Sequence, residues 1–444
     1  MPSQTAPGRR GTAPGGQPPA GGGRPAAVRV HSSSALPGGR RLLRRLVLVE
    51  AALALVAIGW TIGRTATAVL GALGLALVLA GLVPLRGRTL PELLSARSAL
   101  RSRLRVASST LPPPGADPTL APVLELEPAL RTYTHAAEAD FGGRTVRRET
   151  GMIGDGTYLG SVLLVQSRDR PLRPARGDRP LPLDVLCSAL RVDDITLESV
   201  QLVQYTQPAP APHLPEQSLA ARAHRELPGG ATTPALRLTW VALKLDPERA
   251  ATAVRARGGG EEGARRALQR VTDQLAGRLD GAGFRATVLD ERELITALAT
   301  AACANPLAAA GLQGSGGGTG ASATRRTREG RRHWRIDDRW HCTYWISRWP
   351  RLGHPGEPPL PELVNRLTGA PALAGTLSLT LGHASGGSVT LAGHLRLTGR
   401  DEAELAATCR EVESRARNAG LGLSRLDLEQ APGVLATLPL GGTA

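Results

Sequence analysis

The chain has 444 residues, and 54 Lys and Arg residues against 38 Asp and Glu residues give it a formal net charge of +16 at pH 7. Lys244 is its only lysine and has no glycine-rich lead-in, which excludes a P-loop ATPase. The four cysteines, at positions 187, 303, 342 and 409, are too far apart for a C-x-x-C redox or zinc pair and are interpreted as reduced thiols.

The positive charge is concentrated near the N-terminus. Residues 1–45 contain eight arginines and no acid, and residues 85–105 contain six arginines and one acid, so these segments carry +8 and +5. The residues after Arg105 carry only the remaining +3. Because the excess charge is not spread over the whole chain, we do not expect a nucleic-acid-binding surface.

Residues 1–39 are rich in Gly, Pro, Ser and Arg and contain few large apolar side chains. A segment of this composition cannot bury enough apolar surface to fold. We therefore expect a disordered tail over residues 1–39.

An apolar stretch between the two basic segments predicts a transmembrane hairpin over residues 40–88. As a single helix it would be about 60 Å long, twice the roughly 30 Å of the hydrocarbon core, so we expect two spans, 46–62 and 65–85, with a turn at Gly63-Arg64. Arginines on both flanks place both termini in the cytoplasm. A cleaved signal peptide and a buried soluble hairpin are the less favoured alternatives.

The two predicted spans contain residues that bear on their packing. Glu50 is the one acid of the first span, and because it lies about five residues after Arg45, an ion pair near the membrane surface is favoured over a functional role. Small residues in the second span permit close contact with the first span or with a partner, and these are Gly71, Gly74, Ala76 and Ala80.

Residues 89–143 are predicted to form a basic juxtamembrane helix followed by a proline-rich connector. Leucines alternate with arginines over 89–105, as is typical of a helix lying near anionic lipid headgroups. The alternative is a simple continuation of the second span. The connector itself is most clearly proline-rich over residues 111–118.

After this connector, periodicity predicts an α/β (α+β) fold with two tandem ferredoxin-like β-α-β-β-α-β repeats, at residues 144–305 and 334–444. The repeats share residues at a constant offset of 137, including Gly283 with Gly420 and Leu298 with Leu435. A flexible, Gly-rich and basic linker is expected between them at 306–333. We favour a solvated arginine run at 325–332, with contact with a membrane or nucleic acid as the alternative. Lys244 alternates with leucines, which predicts the solvent face of a strand.

No motif predicts catalysis, and we assign no catalytic, cofactor-binding or metal-binding residue. The histidines lack metal-ligand spacing, no G-x-S-x-G elbow is present, and the adjacent acids at 193–194 and 337–338 point apart. Four of the six tryptophans lie between Trp334 and Trp349. We favour core packing for this aromatic cluster, with a ligand pocket or an interface as the alternative.

Five segments together resemble EccE, a membrane component of the type VII (ESX) secretion system of actinobacteria. They are DGTYLGSVLLV (155–165), PLPLDVLCSAL (180–190), LTWVALKLDPERAATAVRARGG (238–259), GAGFRATVLDERELITAL (281–298) and HCTYWISRWP (341–350). The two N-terminal apolar spans extend the similarity to roughly residues 40–440.

The resemblance implies a non-enzymatic structural subunit without a cofactor, in a hetero-oligomeric complex of the inner (plasma) membrane. Its implied partners are EccB, EccD, the EccC ATPase and membrane lipids, but not nucleic acid. The long tail and the proline-rich segment 207–231 depart from the family pattern, so no interface residue is carried over there. The alternative is a membrane-tethered α/β enzyme or ligand-binding protein, similar to a degenerate glycosyltransferase.

Overall fold

The computed structural model describes residues 28–29, 38–82, 90–109, 117–141, 144–168, 180–209, 217–226, 236–305, 308, 325–350, 358–384 and 388–442. The helices are α1 (Gly38–Ile62), α2 (Arg64–Leu82), α3 (Leu90–Ser109), α4 (Ala121–Leu126), α5 (Leu183–Ala189), α6 (Leu219–Glu226), α7 (Ala251–Ala256), α8 (Gly260–Gly281), α9 (Glu291–Ala301), α10 (Leu360–Thr368), α11 (Glu402–Asn418) and α12 (Gln430–Thr437).

Most strands belong to one large sheet. The strands are β1 (Val28–Arg29), β2 (Arg131–Phe141), β3 (Arg144–Gly154), β4 (Leu159–Ser167), β5 (Arg191–Val192), β6 (Ile195–Thr196), β7 (Ser199–Gln207), β8 (Leu236–Leu245), β9 (Phe284–Val288), β10 (Thr327–Glu329), β11 (Trp334–Ile336), β12 (Arg339–Arg348), β13 (Ala374–His383), β14 (Val389–Gly399) and β15 (Gly422–Arg425). Among the described residues this sheet has 13 strands, and β5 and β6 pair separately. The expected α/β class is confirmed.

The large sheet has the order β10-β11-β12-β14-β13-β7-β8-β4-β3-β2, with β9 beside β4 and β15 beside β12. Each half therefore follows the same path. Each half begins with a hairpin, β2-β3 or β10-β11, that leads into a long strand, β4 or β12. On its other side, this long strand pairs with β8 in the first half and with β14 in the second. A trailing helix, α9 or α12, follows each half.

The two halves join through β7 and β13, which pair antiparallel from Ser199 with Gly382 to Thr206 with Gly375. Because backbone hydrogen bonds continue across this junction, both halves share one sheet. The long helices end at equivalent glycines, Gly283 (φ 87°) and Gly420 (φ 71°). Glycine adopts this left-handed conformation without the steric penalty of a side chain, which explains why both helices stop there.

Helices cover both faces of the sheet. On one face, α5 and α8 pack on the first half and α10 and α11 on the second, around Leu163, Leu243 and Leu395. On the other face, α4, α9 and α12 cover a core that includes Trp240 and Leu298. The side chain of Asp290 caps α9 by accepting a hydrogen bond from the backbone N–H of Glu293, which fixes the start of this helix.

Three sequence-based expectations differ from the structure. Segment 89–143, expected to be a basic helix and a connector, also contains α4 and the 11-residue strand β2. In the expected linker 306–333, residues 327–329 form β10, and Arg326 is buried. Lys244 does not lie on a solvent face: its side chain is only 14% exposed, with Nζ 3.2 Å from a Glu198 carboxylate oxygen.

The expected disordered tail lies largely outside the described residues. Within 1–39, β1 pairs with β14 in parallel, and α1 begins at Gly38. The end of the second predicted span, residues 83–85, also lies outside the described residues, as do residues 309–324 of the predicted linker.

Candidate functional site

The N-terminal hairpin is the most apolar exposed part of the described structure. Helix α1 ends at Ile62 and α2 begins at Arg64, so the chain reverses at Gly63 (φ 140°). Large apolar side chains on both helices face outward, including Leu53 (65% exposed), Trp60 (79%) and Val69 (69%). An exposed apolar surface of this kind indicates contact with a membrane or with another protein.

The two helices of the hairpin contact each other through small residues. A Cβ atom added to Gly74 would lie 3.1 Å from the backbone oxygen of Ala52, and one added to Gly59 would lie 2.8 Å from Cα of Thr67. Gly71, by contrast, has no such neighbour within 4 Å among the described residues. Glycine at 59 and 74 therefore lets the two backbones approach closely.

Within the described part of the chain, no helix combines the length and the apolarity needed to cross a membrane. Glu50 is exposed. The side chains of Arg44 and Arg45, the expected ion-pair partners of Glu50, are not among those that the structure describes.

Helix α3 connects the hairpin to the second half of the sheet. Ala96 and Leu100 of α3 pack against Leu428. Arg103 donates two hydrogen bonds of 2.9 Å to the carboxylate of Glu329 on β10 and one of 2.7 Å to the Leu428 carbonyl. A bidentate pair of this kind fixes orientation as well as distance, so α3 is held firmly on the sheet edge.

The exposed side of α3 is amphipathic. Leu94 and Leu104 are exposed by 62% and 42%, and Arg97, Arg101 and Arg105 are exposed as well. Spacings of three and four residues put these side chains on one helix face, away from the docked face. Leucines flanked by arginines are typical of a helix that lies at a membrane surface.

A depression lined mainly by arginines lies beside the C-terminal end of α3. Its volume is ≈ 400 Å³, and it is lined by Ala308, Arg325, Arg326, Thr327, Arg328, Arg335 and Asp337. Arg325 donates hydrogen bonds of 2.8 Å to the carbonyl oxygens of Ala107 on α3 and Glu125 on α4. Arg325 thus connects the lining of the depression to α3 and α4.

The positive charges of the two inner arginines of the depression, Arg325 and Arg326, are balanced by carboxylates. Arg326 donates two hydrogen bonds of 2.8 Å to Asp337, and the two side chains are only 6% and 8% exposed. The carboxylate of Glu125 accepts hydrogen bonds from the backbone N–H groups of Arg326 (2.9 Å) and Thr327 (2.8 Å) and lies 3.8 Å from Nε of Arg325. Both carboxylates of this region are therefore engaged.

The two outer arginines of the depression, Arg328 and Arg335, are exposed to solvent. Arg328 on β10 is directly opposite Arg335 on β11, and both are exposed. Arg335 donates from Nε to the Asp337 carbonyl at 2.9 Å, and its guanidinium lies 5.6 Å from the Trp340 ring centre. Within the described residues, neither arginine forms an ion pair with a carboxylate.

The aromatic cluster is divided between different environments. Trp334 is fully buried against Ile336 and Val434. Trp349 packs over Gly393, where an added Cβ would lie 2.6 Å from the indole ring. Trp334 and Trp349 therefore serve as packing elements.

Next to this cluster lies a buried polar group centred on Arg396. The guanidinium donates to the Ala301 carbonyl and, at 3.2 Å, to Thr376 Oγ1, while Nε and Nη1 have no partner among the described residues. Burial lowers the pKa of Arg396. Burial, followed by the charges of Arg396 and Arg339, holds the pKa of His341 well below its usual value. His341 is therefore neutral near pH 7.

No group of three metal-ligating side chains is found in the described ranges. The large antiparallel sheet, the helices on both of its faces and the exposed apolar hairpin define a mixed α/β protein.

Residues 233–346 match the model of the EccE family, described as "Putative type VII ESX secretion system translocon, EccE". The match runs from β8 to near the end of β12, and the resemblance expected from the sequence is confirmed over these residues. The matched family is a type VII secretion system component and not a known enzyme family. No curated protein sequence matches the chain.

Proposed function

We propose that the protein is a non-enzymatic structural subunit of a type VII secretion complex in the inner (plasma) membrane. The observation that carries this proposal is the EccE match over residues 233–346. The matched segment includes β8, α8, α9 and part of β12, and thus parts of both halves of the sheet. In this proposal the α/β region binds other components of the complex, with EccB, EccD and the EccC ATPase as partners.

Membrane anchoring by the α1-α2 hairpin is part of the proposal. It is supported by the exposed apolar side chains of both helices and by the sequence of residues 65–85, which contains no charged residue. About 20 such residues are needed to cross the hydrocarbon core. Arginine-rich segments on both sides of the hairpin support a cytoplasmic location for both termini.

We further propose that the α/β region consists of two tandem ferredoxin-like repeats, at 144–305 and 334–444, after the tail (1–39), the hairpin (40–88) and the connector (89–143). The matching strand orders of the two halves support this division, as do the glycines at the ends of α8 and α11. The leading hairpins β2-β3 and β10-β11 extend the similarity beyond the predicted repeats, into the connector and the linker (306–333).

The complex is tested by extracting membranes with a mild detergent and measuring the size of the particle that contains the full chain. We expect a large particle that also contains the ATPase and the other membrane components. Recovery of the chain as a monomer under conditions that keep the ATPase in a large particle would contradict the structural role.

The anchor is tested with Leu73→Lys, since Leu73 lies within the second span and is exposed. A lysine near the centre of a span costs about 2.5–3.5 kcal/mol on insertion, so less protein should remain in membranes after a carbonate wash. Leu219→Lys, at an exposed apolar position of α6, is the matched control. Equal retention of the Leu73→Lys variant and the unmodified chain argues against a membrane-spanning hairpin.

A further inference from the structure

The N-terminal segment contributes a strand to the large sheet. Val28 and Arg29 form β1, which pairs in parallel with Val389 and Thr390 of β14. Only eight residues of sequence separate this strand from the start of α1 at Gly38. Because a chain of this length spans at most about 30 Å, the pairing keeps the start of α1 near the sheet.

Strand β1 occupies a gap at the edge of β14. Strand β12 pairs with β14 only as far as Trp345 with His394, and its next residues pair with β15 instead. Residues 389–393 of β14 therefore have no partner in β12, although Val389 and Leu391 are buried. Buried backbone N–H and C=O groups need hydrogen-bond partners, and an added strand supplies them.

The corresponding edge of the first half has no such strand among the described residues. Strand β8 pairs with β4 only as far as Trp240 with Leu164, and no described strand pairs with residues 236–239 on this side. Leu236 and Arg237 are exposed there. Since the first half forms its sheet without a strand at this edge, the pairing of β1 with β14 is an attachment and not a requirement of the fold.

The other end of the α1-α2 hairpin is attached to the same half of the sheet. Helix α3, which follows α2, binds through Arg103 to the Glu329 carboxylate on β10 and to the Leu428 carbonyl. Strands β10 and β14 both belong to the second half. With β1 on β14 and α3 on β10, both ends of the hairpin are tied to the second half.

We propose that residues 28–29 act as a clasp, which docks on the open edge of β14 in the same chain and, together with α3, holds the hairpin against the second half. A hairpin attached at one end can turn about that end, whereas attachment at both ends restricts it. The docking itself requires no membrane. Its effect on the orientation of the α/β region at a bilayer rests on the proposed membrane anchor.

The docking is tested in membranes that contain the full chain, by cross-linking Val28→Cys/Val389→Cys with copper phenanthroline. Paired residues of neighbouring strands lie about 4.8 Å apart, within the Cα–Cα range of a disulfide. We expect a disulfide within one chain, which migrates as a monomer on a non-reducing gel and is identified by mass spectrometry. The matched control, Val28→Cys/Leu236→Cys, should form only traces, although Leu236 is more exposed than Val389.

Hydrogen exchange of the full chain in detergent measures the same contact without new cysteines. Val28→Pro/Arg29→Pro removes both backbone donors of β1 and should speed exchange in residues 388–393 by about two- to tenfold, equivalent to about one lost hydrogen bond. Exchange in β7 should stay unchanged, because β7 pairs with β8 and β13 and not with β1. Thr12→Pro/Ala13→Pro, outside β1, is the matched control and should leave residues 388–393 unchanged.

Three results would overturn the clasp. Equal cross-linking of the Val389 and Leu236 pairs indicates random collision, and a disulfide formed only between two chains assigns β1 to the sheet of a second copy. Unchanged exchange in residues 388–393 after Val28→Pro/Arg29→Pro is the third. Particle size and retention after a carbonate wash test the complex and the anchor separately, so failure of the clasp is distinguishable from failure of the proposed function.

Discussion

Removing Arg326 should destabilise the protein strongly, although this arginine belongs to a sequence run expected to be exposed. Its guanidinium donates two hydrogen bonds of 2.8 Å to Asp337, one of 2.8 Å to the Pro118 carbonyl and one of 3.3 Å to the Asn305 carbonyl. Replacing Arg326 by Met keeps much of the apolar stem but removes all four bonds. The carboxylate of Asp337 then remains in a buried position without its counter-ion.

The expected magnitude follows from the burial of both partners. With 6% and 8% exposure, the pair of Arg326 and Asp337 is effectively inside the protein. Removing one partner of a buried ion pair costs about 3–5 kcal/mol. For a folding unit of 150–250 residues, each kcal/mol lowers the unfolding temperature by about 2–4 °C, so a decrease of about 10 °C is expected.

The assay is thermal unfolding of the full chain in detergent, followed by tryptophan fluorescence, to which the fully buried Trp334 contributes. Arg366→Met is the matched control, because Arg366 pairs with Glu362 on α10 with both side chains about half exposed. An exposed i,i+4 pair contributes only about 0.3–0.5 kcal/mol. The control should therefore shift the unfolding temperature by no more than about 2 °C.

A double-mutant cycle separates the pair from its surroundings. Asp337→Asn removes the charge and suits the left-handed backbone at this position (φ 51°), where asparagine is tolerated. The double variant Arg326→Met/Asp337→Asn should cost less than the sum of the single variants, because no buried charge is left. If Arg326→Met shifts the unfolding temperature no more than Arg366→Met does, the buried pair does not stabilise the fold as described.

Three further predictions concern the two faces of the sheet and α8, and each is checked by the unfolding temperature. Arg396→Met should leave stability unchanged or raise it by up to about 2 kcal/mol, because a buried cation without a carboxylate partner is removed; a large loss would contradict this. Gly393→Ala should cost about 1–3 kcal/mol by displacing the Trp349 ring, whereas Gly277→Ala, with open space around the added Cβ, should raise stability by about 0.5–1 kcal/mol. Burial lowers the pKa of His394 from 6.5 to about 4, so its contribution to stability is present above pH 6.5 and lost as pH falls towards 4; His394→Leu should flatten the pH dependence in this window, and an unchanged slope would refute the assignment.

Local sequence patterns were sufficient to predict the mixed α/β class, which the structure confirms. Two residues that differ by 137, Gly283 and Gly420, occupy equivalent places just after the ends of the two long helices. These features depend on short-range periodicity and on the backbone freedom of glycine. The pairing of β7 with β13 depends on contacts between residues far apart in the chain, and no local pattern specifies it.

The arginine-lined depression could not be predicted for the same reason. Arg325 and Arg326 look like a solvated run because their partners, Glu125 and Asp337, lie in other segments. The strand β2 was missed because its sequence, RTYTHAAEADF, contains alanines and acids that are depleted in strands. One signal was available: Asp337 stands in a short turn between two strands, where an acid in a left-handed conformation is common.

The antiparallel junction of β7 and β13 has a consequence for how the protein responds to dilution. Two separate domains meeting at such an edge would exchange partners and dissociate at low concentration. Here the two halves are parts of one chain, and their effective concentration is set by the connection between them. The two halves thus pair edge to edge as the two subunits of a dimer would, but this pairing does not depend on protein concentration. A single copy of the chain holds both halves in a fixed register.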